Sequence, residues 1–167
     1  MATAEGTQLS QAIREKATEF RKLCAGLDEK TASRAPEGRW SPKEIVSHLC
    51  GAEDRDFSYV IRLFLENDTP EISLDPGKTH FSGDRARMSF AKLLAEFDKR
   101  YKNIADMVSG LTADQLGRKA HMPGLKESPL GEYPTLAGLI GGIGGYHIQF
   151  HIDHMKEILQ GLAAKGK

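Results

Sequence analysis

The sequence predicts an all-α protein, a four-helix bundle with long connections after the second and third helices. Apolar residues recur at alternating steps of three and four residues in four separate stretches, which is the spacing of amphipathic helices. The apolar–polar alternation of a strand is absent from the sequence. A length of 167 residues suits one domain with its own core, so residues 1–167 are assigned to a single helical domain.

The first two helices are predicted from periodicity and from one clear start signal. The first helix spans residues 7–26. The second begins after Ser41, an N-cap, with Pro42 at the first helical position and Glu44 completing a capping box. Its apolar stripe continues to residue 66, so we predict one continuous helix over residues 42–66.

The third and fourth helices each follow a segment that contains several prolines and glycines. Residues 67–84 form a long connection, and the third helix then begins near Phe90 and ends around Gly110. Residues 111–133 form a second irregular connection. Pro134 is expected at the first position of the fourth helix, because proline is favoured there.

Charge and hydropathy exclude several classes of partner. The 23 Lys and Arg residues balance 23 Asp and Glu residues without a basic block, so no nucleic-acid partner is expected. No apolar run approaches the roughly 20 residues of a membrane span, and the N-terminus has no apolar signal-peptide core. We therefore expect no membrane partner and a cytoplasmic location. Cys24 and Cys50 are widely separated and fit buried apolar positions better than a disulfide.

Two histidines in the fourth helix have the spacing of a metal-binding pair. His147 and His151 are four residues apart, which places both imidazoles on one face of a helix. His154 lies on the same face and is a reserve ligand. The other positions of this stripe are apolar, so the histidines point inward; these positions are Leu136, Ile140, Ile143 and Ile158. A buried imidazole needs either a metal or an ordinary hydrogen-bond partner, and both answers stay open at this point.

A third histidine lies on the apolar stripe of the second helix. His48 falls between Ile45 and Leu49, and inward side chains of different helices assemble the metal sites of bundles. Three neutral nitrogens suit Zn, Ni, Fe or Cu and leave an open position for water. A zincin-type peptidase is not expected, because Ile148 stands where that motif has its catalytic Glu.

Expectations also follow for three residues outside the histidines, Arg55, Asp56 and Trp40. Arg55 and Asp56 follow His48 by seven and eight residues, and on a continuous helix they could face the pocket mouth as an anion anchor and a base. A solvated surface pair is the alternative. Trp40 is assigned to the core or to an interface.

A run of glycines precedes His147 in the fourth helix. Each glycine destabilises a helix by about 1 kcal/mol relative to alanine, so a compensating contact is expected; the glycines are Gly141, Gly142, Gly144 and Gly145. Either another backbone approaches closely, within the bundle or from a second subunit, or the helix is interrupted to open the pocket. On this basis we predict close packing at the glycines and a homodimer.

Several segments together resemble the DinB/YfiT-like metalloenzyme superfamily, and the resemblance covers nearly the whole chain. They are the run from Gly38 to Leu49 (GRWSPKEIVSHL), Glu53, the run from Leu111 to Leu116 (LTADQL), and Pro134-Thr135-Leu136 leading to Tyr146-His147 and His151. The resemblance implies a divalent metal bound by His48, His147 and His151. His154 departs from the family pattern and could share a metal with His151.

The resemblance also implies a range of activities. Characterised relatives include thiol-cofactor-dependent transferases and isomerases, in which the metal polarises a low-molecular-weight thiol. A divalent-metal-dependent enzyme acting on a small molecule, either such a transferase or a hydrolase, is therefore expected. The alternative is a non-catalytic bundle, a stress-related binding or scaffold protein in which a metal joins two helices or no metal binds.

Overall fold

The fold consists of helices joined by irregular connections. The computed structural model describes residues 1–165, so positions 166–167 of the predicted domain lie outside the described residues. No strand occurs within residues 1–165, and two isolated β-bridges join the connecting segments, Glu71 to His121 and Lys119 to Thr135. The predicted all-α fold class is confirmed.

The first helix, α1 (Ala4–Cys24), begins slightly earlier than predicted. Thr3 is its N-cap, and the Thr3 hydroxyl accepts a hydrogen bond from the Gly6 amide at 2.9 Å. A short helix, α2 (Glu29–Ala32), comes next and is capped by Asp28. These caps pair amide groups that a helix start would otherwise leave free.

The prediction of one continuous second helix is wrong, because this segment forms two helices. These are α3 (Pro42–Cys50), which has the predicted capping box, and α4 (Ser58–Glu66). Gly51 ends α3 with a φ of 79°, a left-handed conformation that glycine adopts without strain. The Arg100 guanidinium donates to the carbonyl oxygens of Cys50 and Glu53 at 2.9 and 2.7 Å. A distant arginine therefore stabilises the break.

The third long helix matches the prediction closely. It is α6 (Phe90–Ser109), and a short helix, α5 (Gly83–Arg87), lies just before it at the end of the first connection. The second connection contains α7 (Ala113–Leu116) and a 3₁₀ turn (Pro123–Leu125). Both predicted connections are thus present, although short helices interrupt them.

The fourth helical stretch has three parts. They are α8 (Leu136–Gly141), a π-helix (Gly142–His147) and α9 (Ile148–Ala164). The predicted start was wrong by two residues: Thr135 is the N-cap, and its hydroxyl accepts from the Gly138 amide at 3.0 Å. Proline has no amide hydrogen and no side-chain oxygen, whereas Thr135 caps the helix directly.

The core of the bundle lies between the long helices. Helices α1 and α3 each pack against α6 and α9, and Phe20 and Phe97 meet at the α1–α6 contact with ring centroids 5.1 Å apart. In the part of the chain that the structure describes, every helix is too short or too polar to cross a lipid bilayer. The end of α3 contacts the junction of the π-helix with α9 through His48, His147 and His151.

Candidate metal centre

Three histidines from two parts of the chain meet in the bundle. His48 comes from α3, His147 ends the π-helix and His151 lies one turn into α9. One ring nitrogen of each lies within 4.8 Å of the others, and the Nε2 atoms of His48 and His147 are 3.0 Å apart. The predicted convergence of these three side chains is confirmed.

His48 is oriented by the backbone of the first connection. Its side chain is buried, and its Nδ1 lies 2.6 Å from the Lys78 carbonyl oxygen, to which it donates a hydrogen bond. A neutral imidazole that donates from Nδ1 keeps a lone pair on Nε2. The Nε2 that faces His147 is therefore the nitrogen available to a metal.

The π-helix places His147. Gly144 packs so closely on α1 that a Cβ there would lie 2.5 Å from Ile13 Cγ1, and a Cβ on Gly142 would lie 3.3 Å from a Leu130 methyl group. Glycine thus permits the approach, as the glycine run predicted. A Cβ on Gly145 would meet nothing within 4 Å. The contacts lie within one chain, and the homodimer stays a prediction.

Burial keeps the clustered histidines neutral. It lowers the pKa of His147 to about 4 and that of His151 to about 2, and it also lowers the pKa of His48. For His147 and His151 the neighbouring imidazoles act in the same direction, because a positive charge on one ring disfavours a positive charge on the next. At neutral pH all three therefore offer lone pairs, which is the protonation state that metal binding requires.

The arrangement of donors fits a divalent transition metal. A metal about 2.1 Å from two nitrogens holds them roughly 3.0 to 3.4 Å apart, and the His48–His147 separation of 3.0 Å agrees. Within residues 1–165 the buried Nδ1 of His147 has no hydrogen-bond partner, and the polar contact of this ring is that of its Nε2 with His48. No Asp, Glu or Cys of the described chain belongs to the cluster, and a bound ion would keep its full positive charge.

Trp40 forms part of the site, although the sequence assigned it only to a core or an interface. Its ring centroid lies 5.1 Å from that of His48 and 6.2 Å from that of His151, to which it is nearly parallel. The residue directly precedes the N-cap of α3, so the start of this helix carries it over the imidazoles. Helical spacing could not show this, because Trp40 lies outside the helix.

Arg55 and Asp56 are not where a continuous helix would have placed them. Both lie in the break between α3 and α4, and the Arg55 guanidinium packs over the Tyr59 ring at 4.7 Å. Asp56 accepts a hydrogen bond from the Ser58 amide at 2.9 Å. Their surface groove, shared with Lys99, contains none of the clustered histidines. The continuous helix on which the spacing argument for a pocket role rested is not formed, because α3 ends at Cys50.

The family model of the DinB superfamily matches residues 12–158, so the chain belongs to this superfamily. Its structure is similar to that of YfiT from Bacillus subtilis, described as a probable metal-dependent hydrolase with an unusual four-helix bundle topology. The TM-score is 0.74 at 20% identity, over 96% of this chain and 89% of that one.

A second solved structure, of a protein from Streptococcus pneumoniae, has the same fold. Its TM-score is 0.57 at 15% identity, over 95% of this chain and 93% of that chain. No curated protein is significantly similar to the chain in sequence. At these identities, the two structures establish the bundle fold.

Proposed function

We propose that this protein is a metal-dependent enzyme acting on a small molecule, with one divalent transition metal bound by His48, His147 and His151. The observation that carries the proposal is the convergence of three imidazoles, two of them buried and that of His147 partly buried, each from a position that would otherwise hold a core side chain. The His48 Nδ1 is paired with the Lys78 carbonyl, and the Nε2 atoms of His48 and His147 face each other at 3.0 Å, a separation that one shared metal ion would account for.

The residues of the site have separate tasks. His48 is held by the Lys78 carbonyl, so its Nε2 lone pair is aimed at the cluster before any metal binds. The neutral state of His147 and His151, which results from their desolvation, keeps protons from competing for their lone pairs. Trp40 covers the imidazoles and excludes water from one side.

The chemistry depends on the number of ligands. A divalent ion held by three neutral imidazoles has an open position and lowers the pKa of a coordinated water or thiol, which supplies a nucleophile near neutral pH. Structural zinc sites usually have four protein ligands, so three ligands favour catalysis over a purely structural role.

Hydrolysis is the reaction we favour. The fold is similar to that of YfiT, itself described as a probable metal-dependent hydrolase. A transferase that uses a low-molecular-weight thiol, which the family resemblance implies, stays a prediction without a structural observation of its own. The non-catalytic bundle is the outcome expected if the loaded protein hydrolyses none of a broad set of esters, amides and phosphoesters.

Elemental analysis of the purified protein tests the metal site. We expect about one divalent metal ion per chain in the wild type, and loss of the metal in His48→Ala and His151→Ala. His121→Ala is the matched control, because its ring pairs with Glu71 and Glu132 away from the cluster. A wild-type protein that binds neither Zn²⁺, Ni²⁺ nor Fe²⁺ would contradict the proposal.

A further inference from the structure

His154 touches the histidine cluster from outside. Its Nδ1 lies 3.3 Å from the Nδ1 of His151, and the two ring centroids are 5.5 Å apart. The residues are three positions apart on α9, so the helix itself holds the rings side by side. Two neutral ring nitrogens form a hydrogen bond only when one donates and the other accepts.

The contact uses the side of the His151 ring that faces away from a metal. Because Nδ1 of His151 faces His154, Nε2 is the nitrogen left for the cluster. In the described chain the cluster consists of His48, His147 and His151, and His154 is not a member of it. His154 therefore lies on the Nδ1 side of the His151 ring, away from the nitrogen that is left for the cluster.

Aromatic side chains hold His154 in this place. The Trp40 ring lies 5.7 Å from the His154 ring and the Phe150 ring 6.1 Å from it, measured between centroids. Trp40 also contacts His48 and His151, so one indole packs on both the cluster and the residue behind it. The His154 ring is thus confined on more than one side.

We infer that His154 is a positioning residue, which accepts a hydrogen bond from His151 Nδ1 and thereby fixes His151 Nε2 as the metal-binding nitrogen. This inference rests on the proposed function, since it concerns the same metal site. The hydrogen bond to His154 would orient the His151 ring as the hydrogen bond to the Lys78 carbonyl orients the His48 ring. It also leaves the metal with three protein ligands, so the open position needed for chemistry is kept.

The expected size of the effect comes from the behaviour of other metal sites. Removing the hydrogen-bond partner of a metal-binding histidine weakens metal binding by about 10- to 100-fold, whereas removing a ligand abolishes the site. The asparagine amide oxygen can occupy nearly the position of the histidine Nδ1. Asparagine at position 154 should therefore recover part of the lost affinity.

The test compares four variants of the full chain after the metal has been removed with a chelator. They are His154→Ala, His154→Asn, the ligand variant His151→Ala, and Lys156→Ala, an exposed position on the same helix. Zinc affinity is measured by competition with a chromophoric chelator. The visible absorption spectrum with Co²⁺ reports the number and type of ligands, and circular dichroism confirms that each variant is folded.

We expect His154→Ala to bind one zinc ion about 10- to 100-fold more weakly than the wild type, with an unchanged Co²⁺ spectrum. His154→Asn should bind more tightly than His154→Ala, and Lys156→Ala should match the wild type. Should the Co²⁺ spectrum of His154→Ala change as it does in His151→Ala, His154 is a ligand and the inference is wrong.

Three other outcomes would also overturn the inference, and they have different meanings. Equal zinc affinity in His154→Ala and the wild type would contradict the positioning role of His154. The proposed function would be unaffected, because the metal site would still exist. Absence of metal binding by the wild type removes the proposed function together with the inference. A second zinc ion per chain, absent from the His154 variants although they keep the first, would mean that His151 and His154 bind a metal of their own.

Discussion

Arg85 is a charged residue that the fold buries, with an exposure of 3%. Its guanidinium donates to the Ser47 carbonyl and hydroxyl and to the His80 carbonyl, at 3.1 to 3.2 Å, and also to the Gly51 carbonyl. It thereby joins the first connection to the end of α3. Since the Lys78 carbonyl lies in that connection, Arg85 also supports the orientation of His48.

Replacing Arg85 by Met should destabilise the protein by about 2 to 4 kcal/mol, because several buried carbonyl groups lose their donor. Urea denaturation followed by circular dichroism measures this change. Arg87→Met is the matched control: its side chain is 75% exposed, so a change within about 0.5 kcal/mol is expected. Equal effects of the two substitutions would show that burial of Arg85 contributes nothing.

The clustered histidines should make the metal-free protein sensitive to acid. In the unfolded chain His147 takes up a proton near its ordinary pKa of 6.5, whereas in the folded chain burial lowers this pKa to about 4. The stabilising effect is complete above pH 6.5 and is lost as the pH falls towards 4, because the unfolded state binds more protons in this window.

Thermal denaturation of chelator-treated protein between pH 7 and pH 4 measures this dependence. His147→Leu should show a shallower loss of melting temperature over the window, because it lacks one of the groups responsible. His121 is a useful contrast, since its hydrogen bonds to Glu132 and Glu71 raise its pKa. A wild-type melting temperature that stayed constant from pH 6.5 to pH 4 would contradict the prediction.

Among the helices, the π-helix at Gly142–His147 matters most for the site. A π-helix inserts one residue into a turn and shifts the inward face of the helix after it. Gly144 is buried where the simple stripe predicted Ile143, and Ile148 and Ile152 are buried after it. His147 and His151 nevertheless meet, because they span the junction of the π-helix with α9.

The glycines of the π-helix offer a matched pair of substitutions. Gly144→Ala should destabilise the protein by about 1 to 3 kcal/mol, because the new Cβ would overlap the Ile13 side chain. Gly145→Ala should be neutral or stabilise by up to about 1 kcal/mol, because its Cβ would meet no atom within 4 Å and alanine favours a helix. Chemical denaturation measures the free energy of unfolding of both variants. A larger loss of stability in Gly145→Ala than in Gly144→Ala would refute the packing argument.

At the scale of the whole molecule, the site joins two distant parts of the chain. His48 and His147 are separated by 99 residues, and a metal bound by both would join α3 to the fourth helical stretch. A ligand that binds only the folded protein raises the free energy of unfolding in proportion to the logarithm of the ligand concentration. Metal binding and folding are therefore expected to be coupled.

Zinc at a free concentration 100 times its dissociation constant should raise the free energy of unfolding by about 2.7 kcal/mol. Trp40 is the single tryptophan of the chain and lies 5.1 Å from the His48 ring, so its fluorescence should report the binding. His48→Ala should show neither the stabilisation nor the zinc-dependent fluorescence change. Stabilisation of His48→Ala by the same amount would locate the zinc elsewhere.

The sequence by itself determined the fold class and the main candidates for the site. The capping box of α3, the extent of α6 and the inward positions of His48, His147 and His151 were predictable from local patterns, because periodicity and capping are properties of neighbouring residues. The glycine run likewise marked the close approach of another helix, which is α1 at Gly144.

Only the tertiary structure decided the features that depend on distant parts of the chain. Arg100 and Gly51 break the second helix, and the break removes Arg55 and Asp56 from the face that spacing had given them. The partner of His48 is a backbone carbonyl, at Lys78, and every residue type carries that group. Side-chain periodicity records which face of a helix is buried, but which distant atom meets that face is fixed when the helices pack.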